Sequence, residues 1–500
     1  MEASLLSDLV LGHLNRAAGT SLQQQLYRAL QQAIHAGVMR PGYRLPSSRG
    51  LAKELNLSRI TVMAAYDMLA ADGYLASNIG SGTYVADPLP VFQENSDVPK
   101  PQGVAQLSSR GADILRGTGG LQEREGAFLP GVPDSSEFPF RIWQRLCNRY
   151  LGTDHRLLTG YVNGGGYLPL RRALADYLRV SRGVRCAPEQ VIVTMGTQQS
   201  LDLAIRMLTD VGDVACIETP SHWGTSLMLR SAGLRLMTAP VDDEGIKLNT
   251  QHFSAGPKLV FITPSHQFPM GATLSNDRRR QLLHKAAEQQ FWVLEDDYDS
   301  EFRYSSAPLP SLQGSDTQDR TIFLGTFSKV MFPGMRLSYM VVPTALVDAF
   351  TTGLMRLYRP GHLPLQAAMA DFLLEGHFAR HIRRMRGVYA ERRAELSRCL
   401  LRTFGTRVVT VGGNAGLHLT IRFRSHIDIP RLEVVARRYN VLLRRLASFD
   451  HDTAPFQDGF VLGYGTLATA EIAPAVERLA QAYQACLDEQ ASADELLHEA

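Results

Sequence analysis

Six short apolar runs, Val191 to Val193, Val214 to Ile217, Leu259 to Ile262, Phe291 to Leu294, Thr321 to Leu324 and Tyr339 to Val342, follow one another with helical segments between them. Each is apolar at successive rather than alternate positions, the pattern of a strand buried on both faces. Strands covered on both faces need helices above and below them. The expectation is therefore an α/β fold in which βα units wind a mostly parallel sheet. Ligands of such sheets sit beyond the carboxyl ends of the strands, so the residues that follow each run carry the most information about chemistry. With 45% apolar and 20% charged residues among 500, the chain can bury more than one core, and disorder over its whole length is excluded.

Periodicity stops between about Asp87 and Gly103, where Pro88, Pro90, Pro99 and Pro101 stand among Glu94, Asn95, Ser96 and Asp97. This is the composition of a linker. The expected organisation is a small domain over 15–86, a linker over 87–120, a large domain over 121–484 and an acidic tail over 485–500, read as a frayed helical end or a solvated tail. The 52 Lys and Arg against 49 Asp and Glu leave a net charge of +3, so contact with nucleic acid has to rest on a local patch. Five scattered cysteines with no CxxC offer neither a disulfide framework nor a zinc site. No apolar run approaches the length of a membrane span and Met1 to Val10 has no basic segment, so a cytoplasmic protein is expected.

In the small domain, Thr20-Ser21-Leu22-Gln23 reads as a capping box ahead of a helix whose Leu22, Leu26, Leu30 and Ile34 form one apolar face. Pro46-Ser47-Ser48 opens a short second helix, and Ser58 caps a third whose buried stripe is Val62, Tyr66 and Leu69. Two helices across so short a turn make a helix-turn-helix. Arg59 and Thr61, in the first turn of the second of these, point away from the stripe toward where a major groove would lie, and Ser58 with the helix-start amides suits a phosphate. Tyr74 to Ser77 and Thr83 to Val85 are short strands around the glycine-rich turn Asn78 to Gly82, which is a wing. Three helices and a hairpin also serve as packing or dimerisation domains, and this reading stands beside the DNA-binding one.

In the large domain the most specific string is Gly325-Thr326-Phe327-Ser328-Lys329, followed by Phe332-Pro333-Gly334-Met335-Arg336. It puts a lysine just past a strand end. Another buried run ends in Glu295-Asp296-Asp297-Tyr298, and Val191 to Thr194 leads into Met195-Gly196-Thr197, a small-residue turn that opens a helix. Pyridoxal phosphate needs a lysine for its aldehyde, a carboxylate for its pyridine nitrogen, a donor for its phenolate oxygen, and a cation with hydroxyls and amides for its phosphate. All are present. Taken alone, the acidic run also fits a solvated strand end or a Mg²⁺ site.

These residues carry a resemblance. The string PGYRLPSSRGLAKELNLSRITVMAAYDMLAADGYLASNIGSGTYV, Pro41 to Val85, resembles the GntR-type winged helix. Seven strings downstream resemble fold-type I aminotransferases: FLPGVPDSSEFPF (128–140), YVNGGGYLPLR (161–171), MGTQQSLDLA (195–204), ETPSHWG (218–224), TPSHQFPMG (263–271), EDDYDSEFRY (295–304) and GTFSKVMFPGMR (325–336). In this order the two parts resemble the MocR/GabR family of GntR-type regulators, from about Leu22 to about Tyr483. The resemblance implies DNA contacts by Arg49, Arg59 and Thr61, beside the Ser58 phosphate contact read above, and a wing tip at Gly80, Ser81 and Gly82. It implies Lys329 as the Schiff-base lysine, Asp296 on the pyridine nitrogen and Tyr298 on the phenolate oxygen. Around the phosphate it implies Arg336, Thr326, Ser328, Gly196 and Thr197, with Tyr161 reaching over from the partner of a homodimer.

Three departures from the aminotransferase pattern bear on function. His222 stands where an aromatic residue, usually tyrosine, stacks on the cofactor ring, with Trp223 beside it; Phe268 replaces the asparagine that bonds the phenolate oxygen; Val461 occupies the place of the arginine that clamps a substrate carboxylate. Arg444 and Arg445 are the nearest substitutes for that clamp, and Arg380 to Arg398 reads as a solvated arginine-rich helix face whose Glu391 and Glu395 pair locally, with contact to DNA as the alternative. The expected function is a regulator that binds promoter DNA and senses an amino compound, or pyridoxal phosphate itself, through an external aldimine. The alternative is a working aminotransferase with an appended DNA-binding domain.

Overall fold

The computed structural model describes residues 10–12, 14–15, 19–78, 82–87, 107–115, 126–151, 156–160, 164–248, 253, 256–304, 309–424, 427–449 and 459–498. They fall into two compact units, Met1–Gln106 and Leu107–Ala500.

The first unit holds α1 (Leu22–His35), α2 (Ser48–Glu54), α3 (Arg59–Ala71) and the antiparallel pair β1 (Leu75–Asn78) and β2 (Gly82–Val85). A serine starts each helix: the side chains of Ser21, Ser47 and Ser58 accept from Gln24, Gly50 and Thr61 backbone N–H groups. The first cap is thus Ser21 and not Thr20, one residue later than expected, because Ser21 is the residue whose oxygen reaches an orphan amide two or three positions on. Leu26, Leu30, Ile34, Leu51, Leu55, Val62, Tyr66, Leu69 and Val85 close one core. Gly80 and Ser81 lie outside the described residues.

The second unit is built on an eight-stranded sheet of β3 (Val191–Thr194), β4 (Val214–Thr219), β5 (Arg235–Asp242), β6 (Gly245–Ile246), β7 (Leu259–Ile262), β8 (Trp292–Asp297), β9 (Thr321–Thr326) and β10 (Ser338–Val341). The order is β3-β10-β9-β8-β7-β4-β5-β6. β10 runs antiparallel to β3 and to β9, while β9, β8, β7, β4 and β5 are parallel to one another. β3 therefore points the same way as β9, and the carboxyl ends of β3, β9, β8, β7 and β4 share one edge. All six expected runs are strands here. β3, β4, β7, β8, β9 and β10 are buried almost throughout, whereas β5, toward the sheet edge, is half-buried over much of its length.

A second, antiparallel sheet follows: β11 (Val408–Val411), β12 (His418–Phe423), β13 (Arg444–Arg445) and β14 (Gly459–Gly463), in the order β11-β12-β14-β13. Long helices over His377–Phe404 and Thr469–His498 pack on each other. The first carries the arginine-rich stretch: Arg380, Arg383, Arg384, Arg386 and Arg398 are exposed, as a solvated face requires, and Arg392 is the exception. Arg392 is buried, donating to Asp134 Oδ2 at 2.7 Å, and Arg386 donates to the Glu301 carbonyl at 2.9 Å; Arg398 does pair locally, with Glu395. The acidic C-terminal stretch is helical through His498, and its Glu489 pairs with Arg431 and Arg438. Within the stretch expected as linker, Ser109–Leu115 form a short helix.

Candidate functional site

Period-two alternation in β8 sorts its acids. Glu295 and Asp297 point to one face, where Glu295 accepts from Leu312 and Gln313 amides at 2.7 and 2.8 Å and Asp297 takes a two-pronged bond from buried Arg182, Nε to Oδ2 at 2.7 Å and Nη2 to Oδ1 at 3.1 Å. These two acids are structural, which removes the Mg²⁺ reading of the run. Asp296 points the other way. Its Oδ1 is buried without a hydrogen-bond partner among the described residues, and burial pushes its carboxyl up to about 7, with Asp297 adding to the rise and Lys329 opposing it.

Lys329 lies in the turn after β9, and its Nζ donates to the Gly131 carbonyl at 2.7 Å. Burial lowers its pKa, with Asp299 and Asp296 working against that shift. Gly131 has φ +75°, and a Cβ there would stand 3.1 Å from Nζ, so glycine keeps space around the amine. The turn is braced by Thr326, whose Oγ1 accepts from Ser328 N–H at 3.1 Å and from Ser338 Oγ at 2.8 Å. Thr326 is thus engaged in holding Ser328 in place.

Gly196, φ +114°, opens the helix over Thr197–Leu208 after β3. The positive φ favours glycine at 196, and the Arg336 guanidinium lies 2.9 Å from where a Cβ would stand there, close against the helix start. Arg336 is exposed and Thr197 half-buried. Backbone amides at a helix N-terminus beside a guanidinium are an anion site. Tyr161 is outside the described residues.

Tyr298, just past β8, has its hydroxyl 3.0 Å from both the His266 carbonyl and His266 Nδ1. Phe268 meets it edge-on at 6.1 Å. His222, after β4, is exposed, and its Nδ1 accepts from Gly224 N–H at 3.1 Å, capping the helix over Trp223–Ser231. Its ring stacks on Trp223 at 5.4 Å and meets Phe268 at 5.8 Å. In this chain it is a helix cap as well as a ring at the site's mouth. His266 and Asp299, both buried, were not singled out by sequence; their only signal was a place within the strings after β7 and β8.

In the small sheet, Arg444 pairs in register with Val461, and Arg445 with Phe460. Val461 packs with Met270, Phe449, Phe268 and Trp223, so its face looks toward the site. Residues directly opposite on antiparallel strands share a face. Arg445, on the other face, pairs with Glu433 at 2.7 Å, which withdraws it as a clamp and leaves Arg444.

The arrangement fits pyridoxal phosphate on observations of this chain. There is an orphaned buried carboxylate oxygen for a ring N–H, a lysine with a lowered pKa for an aldehyde carbon, a phenol just past the carboxylate's strand, and a guanidinium beside a glycine-opened helix start for a phosphate.

In the first unit, Ser58 Oγ lies 2.8 Å from Thr61 Oγ1, so both hydroxyls serve the helix start, while Arg49 and Arg59 are exposed. Gly82, φ +120°, brings the Arg44 guanidinium against the base of the wing.

The chain matches the family described as Bacterial regulatory proteins, gntR family, over residues 22–85, and Aminotransferase class I and II over 141–454. It is 39% identical to the probable rhizopine catabolism regulatory protein MocR of Rhizobium meliloti, covering 94% of this chain and 96% of that one. It is 30% identical to the pyridoxine biosynthesis regulator PdxR of Corynebacterium glutamicum, covering 92% and 96%. Among solved structures it is similar to the alpha-aminoadipate aminotransferase LysN of Thermus thermophilus, with 27% identity, a TM-score of 0.66 and coverage of 76% and 96%. No helix among the described residues is long and apolar enough to cross a membrane. The chain belongs to the MocR family of GntR-type transcriptional regulators, a DNA-binding helix-turn-helix domain joined to an aminotransferase-fold domain whose cofactor is pyridoxal 5′-phosphate.

Proposed function

We propose that this regulator senses a primary amine bearing a carboxylate, and that capture of the amine at Lys329's site changes its grip on promoter DNA. The observation that carries this reading is the pairing of a cofactor cradle of Lys329, Asp296, Tyr298 and Arg336 with an altered carboxylate site: Val461 where a clamp is expected and Arg444 across from it. When bound, pyridoxal phosphate supplies an aldehyde carbon that can exchange one amine for another. Lys329 holds that carbon through Nζ, and its burial favours the neutral, nucleophilic amine. Asp296 keeps the ring nitrogen protonated, Tyr298 donates to the ring oxygen, and Arg336 with the Gly196–Thr197 helix start and Ser328 holds the phosphate. His222 covers the ring. Arg444 takes the effector's carboxylate from a strand beside the usual one, which orients the amine differently from an aminotransferase substrate.

Turnover requires a lysine proton transfer to carbon with the substrate held rigidly, since misplacement by about 1 Å can cost about a hundredfold in rate. A displaced clamp therefore favours binding over turnover. The exposed Arg336 supports a homodimer in which the partner's chain closes the phosphate end, with Tyr161 as the residue for that role. Arg49, Ser58, Arg59, Thr61 and the wing turn Gly80 to Gly82 are the proposed DNA contacts. A ligand that favours one of two conformations by about 1–3 kcal/mol suffices to shift promoter occupancy.

The test is a screen of α- and ω-amino acids that follows cofactor absorbance, 2-oxo acid release and promoter affinity in parallel. An amine that changes absorbance and affinity with little product supports the regulator. Rapid multiple turnover with no change in DNA affinity overturns it in favour of an enzyme.

A further inference from the structure

One buried pair beside the site is still without a task. His266 follows β7, Asp299 follows β8, and both are buried. His266 Nδ1 lies 3.0 and 3.2 Å from the two Asp299 carboxylate oxygens and 3.0 Å from the Tyr298 hydroxyl. With the carboxylate as acceptor, Nδ1 is the protonated nitrogen and the ring is held in one orientation. The His266 carbonyl also accepts from the Tyr298 hydroxyl, at 3.0 Å. One residue thus touches the phenol twice. Its Nε2 is buried and has no hydrogen-bond partner among the described residues.

The pair is locked from the other side by the small sheet. A Cβ at Gly416, φ +79°, would collide with His266 and with Asp299, and one at Gly271 would fall 3.4 Å from His266 Nε2. His418, on β12, lies with its ring 5.0 Å from that of His266 and donates from Nε2 to the Pro269 carbonyl at 3.1 Å. Burial holds its pKa down to about 3, so it is neutral across the working range and does not compete for a proton. The other groups around the pair include Asp296, Glu218 and Asp297 near Tyr298, and Lys329, Arg303, Tyr304 and Tyr464 near Asp299. Phe268, edge-on to Tyr298, offers no hydrogen bond.

We propose that His266, oriented by Asp299, is a positioning residue that aims the Tyr298 hydroxyl at the cofactor's ring oxygen, the task left open by phenylalanine at position 268. The phenol has one proton, given to the His266 carbonyl in the cofactor-free chain; when it turns to the ring oxygen it gives up that bond, and the Nδ1–H that its oxygen shares with Asp299 is the contact that holds its direction. The inference rests on the assignment of Tyr298 to that oxygen under the proposed function. It adds that the strength of this contact is set by a residue that does not itself touch the cofactor.

The experiment is a pH titration of cofactor absorbance in the full-length protein loaded with pyridoxal phosphate, for wild type, Y298F, H266L, H266N, H266Q and the double variant H266L/Y298F. Loss of a donor to an anionic oxygen raises the midpoint, so Y298F and H266L each shift it upward by about one pH unit. Asparagine places an N–H where Nδ1 lies and glutamine where Nε2 lies, so H266N keeps the wild-type midpoint and H266Q does not. Because His266 acts through Tyr298, H266L adds nothing to the shift of Y298F. A wild-type midpoint in H266L, or a double variant that shifts by the sum of the two, overturns the proposal. If H266L does not fold, the contrast between H266N and H266Q decides it. A wild type whose absorbance does not respond to Y298F counts against the assignment of Tyr298 itself, which separates that failure from failure of the positioning role.

Discussion

Arg444 and Val461 stand directly opposite each other on β13 and β14, so the arginine shares the face that the valine turns toward Phe268 and Trp223. A charge missing from one strand is present on its neighbour. Arg445, one residue on, faces away and is held by Glu433.

Arg444→Ala is expected to weaken a carboxylate-bearing effector by about 1.5–3 kcal/mol, roughly ten- to a hundredfold, and to leave a simple amine of the same length unaffected. Arg445→Ala is expected to leave both unchanged and to cost under about 1 kcal/mol of stability, since its ion pair is partly exposed. Calorimetric titration of the two ligands against the two variants checks this.

Asp296 gives a pH-dependent signature in the cofactor-free protein. Burial raises its folded pKa to about 7, above the ordinary value of about 3.9, so the folded state binds more protons between those limits. Stability therefore falls as pH rises through that window. Glu218, raised to about 7 by burial, adds to the same slope. Asp296→Asn is expected to make the cofactor-free protein more stable than wild type at pH 8, by about 1 kcal/mol or more, to bring the two together near pH 4, and to weaken cofactor binding. Denaturant unfolding at both pH values measures it.

The positions of the strand-end residues were legible because a continuously apolar run followed by acids or by a lysine is a local signal. All six runs became strands, and Asp296, Tyr298 and Lys329 met at one edge because β8 and β9 are parallel neighbours. The reversed direction of β10 was not legible, since a short apolar run carries no orientation. Nor were the partners that come from far along the chain. Lys329 bonds a carbonyl 198 residues away, and Arg392 is buried against an aspartate 258 residues away. A helix's charge pattern alone made Arg392 look solvated. His222 as a helix cap was hidden for a different reason, because histidine is not a usual capping residue.

Arg182 forms a buried ion pair with Asp297 on the face of β8 away from Asp296. Arg182→Ala leaves the buried Asp297 carboxylate with the Ser300 hydroxyl but no counter-charge and is expected to destabilise the large domain by about 3–5 kcal/mol. Arg398→Ala, on an exposed pair with Glu395, is expected to cost under about 1 kcal/mol. Thermal unfolding of the two proteins side by side tests the contrast.

On DNA, Arg59→Ala is expected to cost about 1–3 kcal/mol on a selected operator and little on random duplex. Arg49→Ala is expected to weaken both and to lower the salt dependence by about one counterion. Fluorescence anisotropy across a salt series separates a base contact from a phosphate contact.

The central claim is that amine capture at Lys329 is read out at the promoter. It is tested most directly by promoter affinity, with and without a saturating effector, in wild type and Lys329→Ala, both loaded with pyridoxal phosphate. Wild type is expected to shift by about fivefold or more, the scale of a 1 kcal/mol coupling, and Lys329→Ala, whose cofactor aldehyde no lysine holds and which takes up the amine directly, is expected to match effector-saturated wild type once the amine is present. A wild type whose promoter affinity ignores every amine that changes its cofactor spectrum would contradict the account.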